Sequence, residues 1–187
     1  INSFLSKVPK TTSLMNFFKQ FQVKIIRAEK INTHGGSIRI YISKNKNKKS
    51  EKNVKDLLIK EEKFGIKDFR TYQNFGEKVY KIRENVIKNL NNLKKKNKSI
   101  VGYGAPAKAT TALNFFGLSK KIDFIVEDNN LKHNKFVPGV NIPIYKKNKI
   151  TKKNTILVLA WNFFDEIKKN NQSLSDNFIN IKDLEYK

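Results

Sequence analysis

Cysteine is absent, so the chain can build neither a disulfide framework nor a thiolate metal site. Histidine is almost absent: His34 and His133 stand far apart and cannot make a zinc site by themselves, so no metal centre is expected within the chain. No run of about 18 apolar residues is present to cross a bilayer. The first stretch, INSFLSKVPK, lacks the apolar core of a signal peptide, and the reading is a soluble, cytoplasmic chain with no membrane partner. Acids are scarce. Against 16 Asp and Glu stand 39 Lys and Arg, a net charge of +23 that would suit a polyanion. Among the basic residues only Arg27, Arg39, Arg70 and Arg83 are arginine, and the lysines are spread among asparagine and isoleucine, a bias that A/T-rich codons produce. No arginine-rich strip interleaved with aromatics, of the kind that stacks single-stranded bases, is found. A solvated lysine surface is favoured over a nucleic-acid footprint.

What is present suits a packed fold: 187 residues, 39% of them hydrophobic, make one substantial domain or two small ones. Thr12 and Ser13 are placed to cap a helix on which Leu14, Phe17, Phe18 and Phe21 recur at helical spacing. A strand over 23–29, the turn Asn32-Thr-His-Gly-Gly and a strand over 37–43, with Ile38, Ile40 and Ile42 on one face, follow. One helix and two strands bury too little surface to fold alone, so residues 1–43 read as the end of a larger sheet. Residues 44–53 are polar and lysine-rich, a linker. Residues 54–97 read as a helical connector: a short helix marked by Val54, Leu57 and Leu58, a break at Gly65-Ile66, then a long helix stepping through Phe75, Val79, Ile82, Val86, Leu90 and Leu93. That stripe reads as a face packed on its own domain, with a seam for a partner helix as the alternative.

From residue 98 to 187 apolar strands alternate with helices, the pattern of a parallel sheet covered on both faces: a small Rossmann-like α/β domain. Its strands are read at 100–103, 122–128, 155–160 and 178–181, with Ile142-Pro-Ile a brief edge segment and helices over 107–116 and 162–169. Gly102-Tyr103-Gly104-Ala105-Pro106-Ala107 matches G-x-G-x-x-A where that fingerprint must lie, after a strand and before a helix. On this reading Gly102 permits the tight turn, Gly104 lets the backbone approach a phosphate, and Ala107 lets helix and strand pack closely. Pro106 suits the first helical turn, Lys108 adds a charge beside the amides, and Glu127 and Asp128 fall where an acid meets a ribose hydroxyl. A glycine turn without a ligand is the alternative. Pro138-Gly139 closes a polar loop after the second strand, and Trp161 and Asn162 follow the third, where Asn162 could equally be a helix cap. In the turn between the first two strands His34 could meet a ligand as readily as close a hairpin, with Arg39 nearby.

THGGSIRIYI, GYGAPAKATTALNFFG, DFIVEDNNLKHNKFVPGVNIPIY and ILVLAWNFFDEI, in this order, closely resemble the C-terminal part of the S-adenosylmethionine-dependent C-methyltransferases that act on nucleotide-linked deoxysugars. The resemblance covers about Thr11 to Ile181. It implies that residues 1–43 are the closing helix and antiparallel hairpin of a methyltransferase domain and that 98–187 hold a nucleotide diphosphate sugar. Gly102, Tyr103, Gly104, Ala105, Pro106 and Lys108 would then serve its phosphates, with Glu127, Asp128, Pro138, Gly139, Trp161, Asn162, His34 and Arg39 as further pocket residues. S-adenosylmethionine would be the cofactor of the intact protein, while its glycine loop, the zinc cysteines and the family's base motif would all precede Ile1. Such a fragment is expected neither to bind the cofactor nor to transfer a methyl group by itself. An NAD-dependent oxidoreductase, from the fingerprint and its acids, and a nucleic-acid-binding protein, from the charge, are the alternatives.

Overall fold

A computed structural model of the chain describes residues 11–32, 36–96 and 99–186. The chain divides after Val79, inside a long helix, into two units.

In the first unit, helix α1 (Thr11–Lys19) leads into strand β1 (Lys24–Ile31), which pairs antiparallel with β2 (Ser37–Ser43); helix α2 (Lys52–Lys63) follows. The residues 33–35 of the intervening turn, His34 among them, lie outside the described residues. Buried Ile25, Ala28 and Val54 form the centre, with Leu14, Phe18, Ile38, Ile40, Leu57 and Leu58 packed around it. The aromatic stripe expected on α1 is only half buried. Leu14 and Phe18, four residues apart, share the inward face, whereas Phe17 and Phe21 are 53% and 58% exposed and pack against each other with tilted rings. Ile42 is likewise exposed at the strand end. The helix begins at Thr11, before the expected caps, and its capping group comes from far along the chain: the buried Glu61 carboxylate accepts from the amides of Thr11 (2.8 Å) and Thr12 (2.7 Å).

The segment 44–53, which reads as a linker, closes the outer edge of β1. A bulge between Ile25 and Arg27 turns carbonyls outward; the Ser50 hydroxyl donates to the Ile25 carbonyl (2.7 Å) and the Glu51 amide to that of Ile26 (2.8 Å). After a turn at Gly65 (φ +78°), helix α3 (Phe69–Lys96) runs across the division between the units.

The second unit is built on a six-stranded sheet. Its strands are β3 (Ile100–Tyr103), β4 (Ile125–Val126), β5 (Lys135–Phe136), β6 (Pro143–Tyr145), β7 (Thr155–Val158) and β8 (Phe178–Asn180), in the order β5-β6-β4-β3-β7-β8. All neighbours are parallel except β5 and β6. Helix α4 (Ala107–Phe116) joins β3 to β4, and α5 (Phe164–Asn170) follows β7. Every residue of β3, β4 and β7 is buried, as strands covered on both faces require. One face carries Val101, Tyr103, Val126, Ile156 and Val158, against which Phe124, Phe164, Ile167 and Phe178 pack. Strand alternation sends Ile100, Ile125, Leu157 and Leu159 to the other face. The buried stripe of α4 is Ala109, Ala112, Leu113 and Phe116. On α3, Val86 and Leu90 are fully buried, and Arg83 donates from Nε to the Phe115 carbonyl (2.8 Å).

Ile142-Pro-Ile does not form the edge. The strand there, β6, is interior, and the edge is β5, two exposed residues with no alternation to betray them. The chain reverses into β5 at Asn134, whose φ of 58° asparagine tolerates better than most residues.

Below the parallel strands, buried Asn154 ties three segments together. Its Oδ1 accepts from the Thr151 amide (2.7 Å), its Nδ2 donates to Ser99 Oγ (2.7 Å), and its carbonyl accepts from the Ser175 hydroxyl (2.7 Å). Asn154→Ala removes two of these bonds and leaves the Thr151 amide without its acceptor. Urea unfolding of this variant is expected to show a loss of about 2 kcal/mol; a loss under about 0.5 kcal/mol would remove the network from the account.

Candidate functional site

The strand order places β3 at the start of two arms, β4-β6 to one side and β7-β8 to the other. In open α/β sheets the crevice between such arms, at the carboxyl ends of the strands, is where ligands bind. Here it lies between the turn after β3 and the turn after β7.

The two glycines of the fingerprint take roles that differ from the sequence reading. Gly102 lies inside β3, not in the turn: a Cβ there would meet Ile125 Cγ1 at 2.7 Å and Leu159 Cδ1 at 2.9 Å, so close packing demands the missing side chain. The turn falls on Gly104, whose φ of +87° disfavours any side chain. A Cβ on Gly104 would also lie 3.0 Å from that of Ala160, so two small residues form the floor of the crevice. Ala107 is exposed, and the close approach of helix to sheet is made by Ala109, two residues on. Pro106 is the N-cap of α4 in extended conformation (ψ 162°), with its carbonyl accepting from the Ala109 and Thr110 amides. Lys108 is exposed in the first turn of α4, and Ala105 links the glycine to the cap.

The acids after β4 are already engaged. Glu127 reaches back to the glycine turn: Oε2 accepts from the Ala105 amide (2.8 Å) and from Lys132 Nζ (3.4 Å), while Oε1 accepts from the amides of Asp128 and Asn129. Lys132 also donates to the Ala105 carbonyl (2.9 Å), and His133 Nε2 meets the Glu127 carbonyl at 2.7 Å. Burial pushes the Glu127 carboxyl up, but these amides and Lys132 more than offset it and hold it below the usual carboxylate range. The glycine turn is thereby clasped by an internal anion.

Asp128 belongs to a second cluster. Lys147 Nζ lies 2.7 Å from Asp128 Oδ1, the Tyr103 hydroxyl donates to Oδ2 (3.0 Å), and Asn171 Oδ1 stands 3.4 Å from the same hydroxyl. Burial opposes the Asp128 charge, yet Lys147 and the Tyr103 hydroxyl hold its carboxyl low; burial and Asp128 push the Tyr103 phenol up, so it stays protonated. Asp128, first of its influences, raises Lys147.

On the other arm, Trp161 lies half-buried in a 3-10 turn (Trp161–Phe163), its carbonyl accepting from Asn180 Nδ2 (3.5 Å). Its indole N–H is buried and meets no acceptor among the described residues. Asn162 sits inside this turn, and the N-cap of α5 is Phe163, with no side-chain cap.

The structure thus brings Gly104, Ala105, Pro106, Lys108, Glu127, Asp128, Trp161 and Asn162 to one edge of the sheet. Tyr103 contributes its phenol to the Asp128 cluster. Pro138 and Gly139 are elsewhere. They form the tip after β5, at the amino end of β6, where the Pro138 carbonyl accepts from Asn114 Nδ2 (2.9 Å) and a Cβ on Gly139 (φ +83°) would collide with the Asn114 amide. Arg39, in β2 opposite Glu29, belongs to the first unit, and His34 lies outside the described residues. Lys132 and His133 lie within the third quoted motif without being singled out there, while Lys147 and Asn171 belong to no motif and enter only through the fold.

Among the described residues no group of three or more His, Cys, Asp or Glu could hold a metal ion, and no helix is long and apolar enough to cross a membrane.

A Rossmann-like sheet with a glycine turn at its branching point defines a broad class, which sequence comparison narrows. Residues 32–180 match the C-methyltransferase C-terminal domain, and the chain belongs to that family. It is 28% identical over 169 residues to C-methyltransferase NovU of Streptomyces niveus, an alignment covering 88% of this chain and 40% of NovU. The chain spans about 40% of the length of that curated relative.

Proposed function

We propose that this chain is the C-terminal part of an S-adenosylmethionine-dependent C-methyltransferase acting on a nucleotide-linked keto-deoxysugar, and that it holds the sugar nucleotide in the crevice between β3 and β7. The observation that carries this is the turn at Gly104, placed where the sheet branches and opening directly into α4. Its backbone lets a diphosphate approach the first amides of the helix, and Lys108 adds charge beside them. Trp161 lies half-buried on the facing turn, with its indole N–H inside the protein. Glu127 and Lys132 keep the turn in shape before any ligand arrives.

The same arrangement argues against a dinucleotide redox cofactor. The carboxylates after β4, which would take ribose hydroxyls, are spent on backbone amides, Lys132, Lys147 and Tyr103. For this reason we do not assign S-adenosylmethionine to this chain either. In the two-stranded sheet of the first unit, β2 pairs only with β1 among the described residues, which accords with residues 1–43 being the end of a methyltransferase sheet. The methyl transfer itself, in which a base takes a proton beside the keto group and the carbanion attacks the methylsulfonium, belongs to the whole protein.

Calorimetric titration with a thymidine diphosphate sugar tests the assignment. Lys108→Ala is expected to weaken binding by about 1.5 to 3 kcal/mol, the worth of a charge-assisted phosphate contact. Gly104→Val should abolish binding. Equal heats from all three proteins would detach the phosphates from this turn.

A further inference from the structure

The first unit carries a cleft of about 420 Å3 where the end of α1, the start of β1 and the segment after β2 meet. Met15 and Val23 give it an apolar side, Lys19, Lys24, Lys44 and Lys46 line it with cations, and none of its described lining residues is acidic. Lys24 is fixed, its Nζ donating to the Lys46 carbonyl (2.5 Å). The carbonyls of Phe17, Phe18 and Lys19, the negative end of α1, accept from amides of residues 20–23, which blunts their repulsion of an anion. Ammonium groups gathered round one concavity repel each other, and a bound anion relieves that field. The volume falls in the range of small-molecule sites.

We propose that this cleft binds a phosphorylated small molecule of mononucleotide size, its phosphates among Lys19, Lys24, Lys44 and Lys46 and its flat body against Met15 and Val23. The site is separate from the β3–β7 crevice and does not depend on the reading of that crevice.

The test is titration of the full chain with ADP at low ionic strength, followed by amide NMR shifts, with inorganic pyrophosphate and a DNA duplex in parallel. ADP should shift amides of residues 19–24 and 43–46, and pyrophosphate should shift the same set more weakly. Binding should fall about tenfold or more in Lys44→Glu/Lys46→Glu and persist in Lys44→Arg/Lys46→Arg, which keeps the charge and controls for folding. The proposal is overturned if ADP moves no amide of this set, if charge reversal leaves its affinity unchanged, if the arginine variant loses it while folded, or if only the duplex binds.

Discussion

Gly102→Val is expected to lower the stability of the sheet unit by about 3 kcal/mol, the upper range for overpacking a core, as measured by urea unfolding. Gly102 pairs with Ile125 on one side and Leu157 on the other, in the middle of the sheet. Its missing side chain is filled by Ile125 and Leu159, both with no exposed surface, so neither can swing away. Valine adds three carbons where the first already stands 2.7 Å from a neighbour. Gly102→Ala should cost less, about 1 to 2 kcal/mol, because one methyl can be absorbed by small shifts of two aliphatic chains. A valine variant as stable as the wild type would mean that β3, β4 and β7 do not pack as described.

Glu61→Ala should destabilise the first unit by about 2 to 4 kcal/mol, because it strips the acceptor from the Thr11 and Thr12 amides at a buried helix start. Thr12 Oγ1 also donates to the carboxylate, at 2.5 Å. Burial pushes the Glu61 carboxyl up, but the Thr12 hydroxyl and the two amides prefer the charged form and leave it below the ordinary value. A carboxylate lowered on folding contributes stability that is fully present above its unfolded value of about 4.3 and disappears as pH falls through the folded one. The wild type should therefore lose first-unit stability as pH falls through the lowered Glu61 value, while Glu61→Gln, less stable at neutral pH by about 1 to 2 kcal/mol, loses less over that interval. Amide exchange of residues 11–19 reads both effects. Identical acid profiles for wild type and Glu61→Gln would remove the carboxylate from the cap.

These expectations rest on contacts of very different legibility. The helix over 107–116, the strands at 100–103 and 178–180 and the glycine turn between β3 and α4 were readable because each is signalled by neighbours: apolar runs, then Gly, then Pro at a helix start. The family could be read from its motifs, and the α/β class from the alternation of strand and helix. Glu61 could not be found this way, since the helix it caps lies 50 residues back. Lys147 and Asn171 meet Tyr103 only after the sheet has formed, and the Glu127 clasp depends on where β4 ends relative to β3. Pro138-Gly139 looked like a site because polar turns after strands often are; an antiparallel strand had carried it to the opposite edge. The division of labour between Gly102 and Gly104 was likewise invisible, because a fingerprint names glycines without saying which one serves packing and which one serves the turn.

Trp161, the single tryptophan of the sequence, stands at the proposed crevice, so its emission is the direct readout of the central claim. Adding a thymidine diphosphate sugar should change that emission saturably, Lys108→Ala should shift the titration to higher concentration, and NAD+, which does not absorb where tryptophan emits, should cause no saturable change. Emission that ignores the sugar nucleotide, or that responds saturably to NAD+ in its place, would contradict the assignment of this crevice.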